Sequence, residues 1–427
     1  MSKIPTATHC TSQRPPIGPT LMHGAEFDPR VFEHNDAAFI ADPYPFYAYM
    51  RQHMHRYRAE HLFGGAWLMF GYHDIRELLQ DPRLSTSRAR LPVSGLPKAA
   101  RDEFEDMFSV FDCWIAFNEF HQHLKMRRQA QHAMALLMPT QLRPRVRRIA
   151  DTLLRGRQDR DRLDVMTELA TPLPALVLAE LLGVPYADSI RLKAWSDDIS
   201  RLYGSTNLPL DEIRRIRSST LALLAYLDDL AAHGDARGTL LGDLMNIEVD
   251  AYRPDRREAI AQVVMLLFAA LEPTAYLVGN AIAALQNHPE QLARLHQNPD
   301  LAGALVEETL RYDTPVQFVG RLVREDFLWN GCQMREGQVV LGYVASAHRD
   351  STHYHDPDRF ELERSDARNL AFGCGTHYCL GAPTVRVVAA EALGAILQHF
   401  PSLTRTDTPA TFNTNLGFRG RTSLAVE

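Results

Sequence analysis

The longest apolar-periodic stretch of the chain covers 254–286, where apolar residues recur at helical spacing and Glu272 is the only charge beyond Glu258. A helix apolar on nearly every side is a buried one, so this segment reads as a long central helix. Pro254 suits the first helical position. Upstream, Asp42-Pro43-Tyr44-Pro45-Phe46 opens an amphipathic helix reaching about Gln52. Two strand-like runs, 55–60 and 66–70, flank Gly64-Gly65 and read as a hairpin, followed by a helix over 72–79. From 87 to 118 periodicity is weak, broken by Pro92, Gly95 and Pro97, and an irregular connection is expected. A basic helix follows over 119–137, then four or five helices across 139–250, with breaks at Gly183-Val184-Pro185 and around 204–209. Two shorter helices (289–298, 301–313) lead to strands and turns over 321–347, with Trp329-Asn330-Gly331 as a hairpin turn and 339–344 as a strand. A helix over 384–398 and short strands over 402–427, turning near Gly417, close the chain.

Composition narrows this picture modestly. Of 427 residues, 45 % are apolar and 23 % charged, ordinary for a globular chain with a sizeable core. A net charge of −6 argues against a general nucleic-acid binder. The polar, Pro-rich first residues read as a flexible leader over 1–30, with no signal peptide or membrane anchor expected. Five scattered cysteines suggest no disulfide framework and fit a reducing cytoplasm.

The chemistry concentrates in Phe372-Gly373-Cys374-Gly375-Thr376-His377-Tyr378-Cys379-Leu380-Gly381. A thiolate at the start of a helix is stabilised by free backbone N–H groups, and glycines let those groups approach the sulfur. One cysteine in such a nest suits an axial haem ligand, because zinc and iron–sulfur sites need several ligands at short spacing. This F-G-x-G-x-H-x-C-x-G loop resembles the haem-binding loop of the cytochrome P450 family. The resemblance extends in family order over about 40–425. It implies a mainly α fold with a small β-sheet region (α+β), one domain over 31–427, the long central helix crossing the haem, and Cys379 as the iron ligand of haem b (iron protoporphyrin IX).

Other positions match family motifs. His123 and Arg127, four apart on one helical face, match the pair that binds a haem propionate. Arg321 and His377 match further propionate contacts, and Phe372 and Gly381 frame the ligand. Glu308 and Arg311 form an E-x-x-R pair which, with Arg359 in Asp356-Pro357-Asp358-Arg359-Phe360, matches a buried structural network. The 87–118 connection resembles the roof of the substrate pocket, making Phe111 and Trp114 candidate substrate contacts along with Ala269 and Ala270 of the central helix.

One departure stands above the haem. Relatives carry an acid followed by an alcohol there, which relay protons during dioxygen activation; this chain reads Ala269-Ala270-Leu271-Glu272-Pro273-Thr274. Pro273 has no N–H, so the Ala269 carbonyl loses its helical donor and a kink is expected. Either Thr274 supplies the alcohol one residue later, or ordered water or the substrate's own polar groups deliver the proton beside Glu272. The resemblance implies a monooxygenase or oxidase that uses dioxygen to hydroxylate or couple a small organic substrate in natural-product biosynthesis, a cyclic dipeptide among the candidates. It also implies a ferredoxin or flavodoxin with its reductase as electron donor, and a monomer without membrane or nucleic-acid partner. A peroxide-driven peroxygenase and a non-catalytic haem sensor are the alternatives.

Overall fold

The computed structural model describes residues 37–427 apart from 61, 135–138, 158, 160, 206–207 and 234–237; the expected leader over 1–30 lies outside the described residues. The fold is built around the helix Arg256–Asn287, 32 residues and so about 48 Å long at about 1.5 Å per residue. It begins two residues later than its apolar pattern suggested. Asp255 is the cap: its carboxylate accepts from the Glu258 N–H at 2.8 Å, while the Glu258 carboxylate accepts from the Asp255 N–H at 3.1 Å. Two otherwise orphaned donors are satisfied at once, so Pro254 precedes the helix rather than opening it.

Around this axis pack the helices Pro172–Leu182, Ser189–Gly204, Leu210–His233, Leu240–Asn246, Ala302–Tyr312 and Ala382–His399. Pro139–Arg155 lays Leu142, Val146, Ile149, Ala150 and Leu154 against its neighbours, chiefly Ala382–His399, a spacing of three and four that makes one apolar stripe. Two helical stretches, Val165–Leu182 and Arg256–Asn287, are long and apolar enough to cross a membrane, but both are mostly buried inside the fold. Their apolarity makes the core.

The expected hairpin is present: Arg56–Ala59 pairs antiparallel with Ala66–Met69. It extends to a five-stranded sheet through a parallel pairing with Val339–Gly342, then Val319–Val323 and the short Leu84–Ser85. The fold is thus mainly α with a small sheet region. The 87–118 connection is more regular than expected, containing helices Lys98–Asp102 and Glu105–Phe111 and short turns of tighter helix. Phe104, Met107, Phe108 and Phe111 are buried at helical spacing, too short a run to stand out along the sequence. Cys113, Cys374 and Cys379 are free.

Candidate active site

The cysteine loop is closed by its own backbone: the Cys379 N–H donates to the Phe372 carbonyl at 2.9 Å and the Gly373 N–H to Leu370 at 2.8 Å. Gly373 (φ +71°) and Gly375 (φ +75°) hold left-handed backbone that a side chain would strain, and these two turns fold the loop back onto itself. The chain then enters the helix Ala382–His399. Burial pushes the Cys379 thiol up, and the backbone N–H groups of Gly381 and Ala382, with Arg127 and Arg386, draw it back down. Those are the groups that stabilise a thiolate. Phe372 lies under the Arg386 guanidinium at 4.6 Å, and Arg386 is held by Glu307, which fixes the wall of the loop.

Beside the loop lies a basic cradle. The helix Phe120–Ala133 starts at the cap residue Glu119, whose carboxylate accepts from the Thr86 N–H at 2.7 Å and pairs with Arg324 at 2.7 Å. The Asn118-Glu119-Phe120 start places Phe120 at φ +49°, with its ring under Arg324. One turn on, the buried His123 ring stands 3.9 Å from His377. His123 is pushed down to about 4 by burial and by Arg127, and His377 to about 3 by burial, His123 and Arg321. Arg321, buried and donating to the Gly320 carbonyl at 2.9 Å, is lowered to about 10 by burial. Burial is the largest cause at each of these groups, and it holds the two imidazoles neutral beside Arg127 and Arg321, so a bound anion would meet two guanidinium charges here.

The network behind the loop has a different third member from the one expected. Glu308 and Arg311 are buried and doubly bonded, at 2.7 and 2.8 Å. Arg311 also donates to the carbonyls of His348, Pro357 and Arg359. Arg359 contributes only that carbonyl: its guanidinium is 61 % exposed and 4.0 Å from Glu361. The third guanidinium is that of Arg364, 4 % exposed, 3.4 Å from Glu308 and donating to the carbonyls of His355, Asp356 and Arg359. Phe360 explains the exchange, since it is fully buried and turns the side chain before it outward.

The central helix runs unbroken across Pro273. Its two polar candidates part company there. Glu272 turns to the helix Ser189–Gly204, accepting from the Ser200 hydroxyl and from Tyr276 at 3.3 Å, and burial raises its pKa. Thr274 is buried and borders a small cavity of about 50 Å³ with Ala270, Gly381, Val385 and Val388. Ala269, between buried Leu267 and Leu271, remains exposed.

A cavity of about 250 Å³ lies between the 87–118 connection, the central helix, the sheet and the C-terminal hairpin. Trp114 lines it as expected; Phe111 stands behind Trp114 with ring centroids 4.5 Å apart and does not line it. Ala269 and Ala270 do not line it, whereas their neighbour Phe268 does. Arg88, Tyr203, Phe318 and Asn415 also line it and were not singled out from the sequence. They come from four distant segments, and only Arg88, a charge inside an otherwise weakly patterned stretch, carried any local signal. Asn415 is seated by Gly204: a Cβ there would stand 1.9 Å from the Asn415 Oδ1. Gly204→Ala is therefore expected to destabilise the fold by about 1–3 kcal/mol in urea titration, and Asn415→Ala in the same chain to return much of that loss. An unchanged midpoint in Gly204→Ala would contradict this close packing.

Residues 239–423 match the family model described as Cytochrome P450. The chain is 33 % identical over 372 residues to the cytochrome P450 monooxygenase PikC of Streptomyces venezuelae, covering 86 % of this chain and 85 % of that protein. It is 29 % identical over 391 residues to the biotin biosynthesis cytochrome P450 of Bacillus subtilis, covering 91 % and 96 %. The crystal structure of P450BioI in complex with hexadec-9Z-enoic acid ligated acyl carrier protein is similar at a TM-score of 0.83 and 27 % identity, over 91 % of this chain and 99 % of that one. Kinship at this level over most of both chains, together with the cysteine loop, leads to one conclusion: the chain belongs to the cytochrome P450 family, whose members are enzymes with a haem cofactor.

Proposed function

We propose that this chain is a monooxygenase that oxidises a small organic substrate in natural-product biosynthesis, with haem b held by Cys379. The observation that carries the reading is the Cys379 sulfur facing backbone N–H groups beside a basic cradle. The residues present fit the group: His123, His377 and Arg321, each lowered chiefly by burial, would with Arg127 receive its propionates, and Phe372 and Gly381 flank the thiolate. When bound, haem supplies dioxygen chemistry strong enough to attack unactivated C–H bonds, using two electrons from a ferredoxin or flavodoxin and its reductase. The biosynthetic setting is favoured by the similarity to the biotin biosynthesis cytochrome P450 of Bacillus subtilis. A cyclic dipeptide, one of the candidates that the family resemblance implies, would need amide partners. Asn415 and Ser200 bond to each other at 3.1 Å, so the cavity favours a substrate with a larger apolar body.

The chain's own part in proton delivery falls to Glu272 and Ser200. Ser200 lines the cavity and its hydroxyl donates to the Glu272 carboxylate; when that buried acid carries a proton the hydroxyl can turn, accept from the acid and donate its own proton toward the cavity. Thr274 faces the apolar side of the helix instead. Reconstituted with ferredoxin, reductase and NADPH, the protein is expected to place one atom of isotopically labelled dioxygen in its product. Product formation from hydrogen peroxide alone would favour the peroxygenase alternative. In the same assay, Glu272→Gln is expected to raise peroxide leakage about tenfold, some 1.4 kcal/mol of differential barrier, with Thr274→Ala nearly unchanged. The reverse order would move the relay to Thr274.

A further inference from the structure

Arg88 is enclosed by the fold, yet it keeps accessible surface because it borders the 250 Å³ cavity. Its Nε donates to the Gly320 carbonyl at 3.0 Å, and its guanidinium lies over the Phe117 ring at 5.1 Å. Among the described residues lining the cavity it is the only Lys, Arg, Asp or Glu. The neighbouring polar groups are engaged with one another. Tyr203 donates to the Ala89 carbonyl at 3.0 Å, Ser200 donates to Glu272, and the Asn415 amide meets Ser200 and the Gly417 N–H. The Trp114 indole N–H, on a residue of the same wall, has no acceptor among the described residues.

An enclosed cation without a counter-ion is costly, and burial depresses the Arg88 pKa accordingly. A planar guanidinium fork matches a carboxylate in two parallel hydrogen bonds. Apolar walls with one positive charge and no negative one describe a container for an anionic amphiphile.

We infer that the substrate of this cavity carries a carboxylate held by Arg88, with its apolar body against the aromatic wall of Trp114, Phe117, Phe268 and Phe318. This deepens the proposed function and rests on it for the chemistry that follows binding. A haem propionate is the other carboxylate within reach of this region. Arg321 shares the Gly320 carbonyl with Arg88, but it borders a separate cavity with His123 and His377, and Arg88 does not. Arg88 is near enough to lower the Arg321 pKa after burial does, so the assignment of the two guanidinium groups to different carboxylates rests on their facing different cavities.

The test titrates the haem-loaded protein with dodecanoate, dodecanol and methyl dodecanoate, following the haem spin-state shift and, in parallel, the heat of binding. Dodecanoate is expected to bind about tenfold tighter than either neutral probe. Arg88→Gln is expected to bring the three within about twofold, with haem content and the rate of haem loss to apomyoglobin as in the wild type. Arg88→Lys keeps the acid first by a smaller margin, and it decides the matter together with the wild-type series if Arg88→Gln does not fold. Equal affinity for acid and alcohol in the wild type overturns the inference, as does the absence of binding by every probe. Faster haem loss with an unchanged acid preference in Arg88→Gln also overturns it, by assigning Arg88 to the propionate. Failure of the proposed function looks different: the acid preference holds, and no oxygenated product forms on reduction.

Discussion

Cys379→His is expected to yield protein whose reduced carbon monoxide complex lacks the strongly red-shifted Soret band of thiolate ligation. Its oxygenase turnover should fall by at least about a thousandfold, some 4 kcal/mol of barrier. An imidazole can still bind iron, but it is neutral and does not push electron density toward the oxygen side as a thiolate does. The loop is built for the charged ligand: N–H groups of Gly381 and Ala382 and the guanidinium groups of Arg127 and Arg386 all act on the Cys379 sulfur. Cys374 is the natural control, five residues away in the same loop. Its sulfur accepts from Gln80 at 3.3 Å and donates to the Arg76 carbonyl, contacts with the helix Tyr72–Leu78 and the turn that follows it. Cys374→Ala should therefore keep the band and the turnover. Loss of the band in Cys374→Ala, with retention in Cys379→His, would reverse the ligand assignment.

What could be read from the sequence was local in the chain. The cysteine loop is ten consecutive residues, the His123–Arg127 pair is one helical turn, and Glu308–Arg311 is three positions on one face. Each is a short-range geometry that residue spacing determines. Arg359 shows where spacing stops being enough. The motif places an arginine before Phe360, yet whether its side chain or its carbonyl faces Glu308 depends on how the chain turns between Asp356 and Arg364, and that turn is set by tertiary packing. The substrate cavity was less legible still. Its lining comes from the 87–118 connection, the end of Ser189–Gly204, the central helix, the sheet and the C-terminal hairpin, and no period links Arg88 to Asn415. The central helix illustrates the same limit at single-residue scale. Ala269 and Ala270 were singled out by motif alignment, but the ring that reaches the cavity is that of Phe268. Glu272 and Thr274, two residues apart, face different neighbours because a helix turns about 100° per residue.

The Glu308 network supplies the largest expected effect on stability. Glu308→Ala leaves Arg311 and Arg364 without their shared carboxylate in a site where the side chains are 0 % and 4 % exposed. Breaking a buried pair by removing one partner costs about 3–5 kcal/mol, a large share of the roughly 5–15 kcal/mol that holds a folded domain. Little soluble, haem-loaded protein is expected from Glu308→Ala. Arg311→Ala should behave alike, since it strands Glu308 and frees the carbonyls of His348, Pro357 and Arg359 that anchor the approach to the cysteine loop. The informative comparison is between the two remaining arginines. Arg364→Ala removes donors to three carbonyls and the second cation on Glu308, and should lower the urea midpoint and the haem-to-protein ratio clearly. Arg359→Ala removes an exposed side chain whose one ion pair is long, and should stay within about 0.5 kcal/mol of the parent. Because Arg359 takes part through its carbonyl, truncating its side chain leaves both hydrogen bonds to that oxygen in place. If Arg359→Ala proves as damaging as Arg364→Ala, the guanidinium that completes the network is the one the sequence motif indicated, and the exchange seen in the structure is wrong.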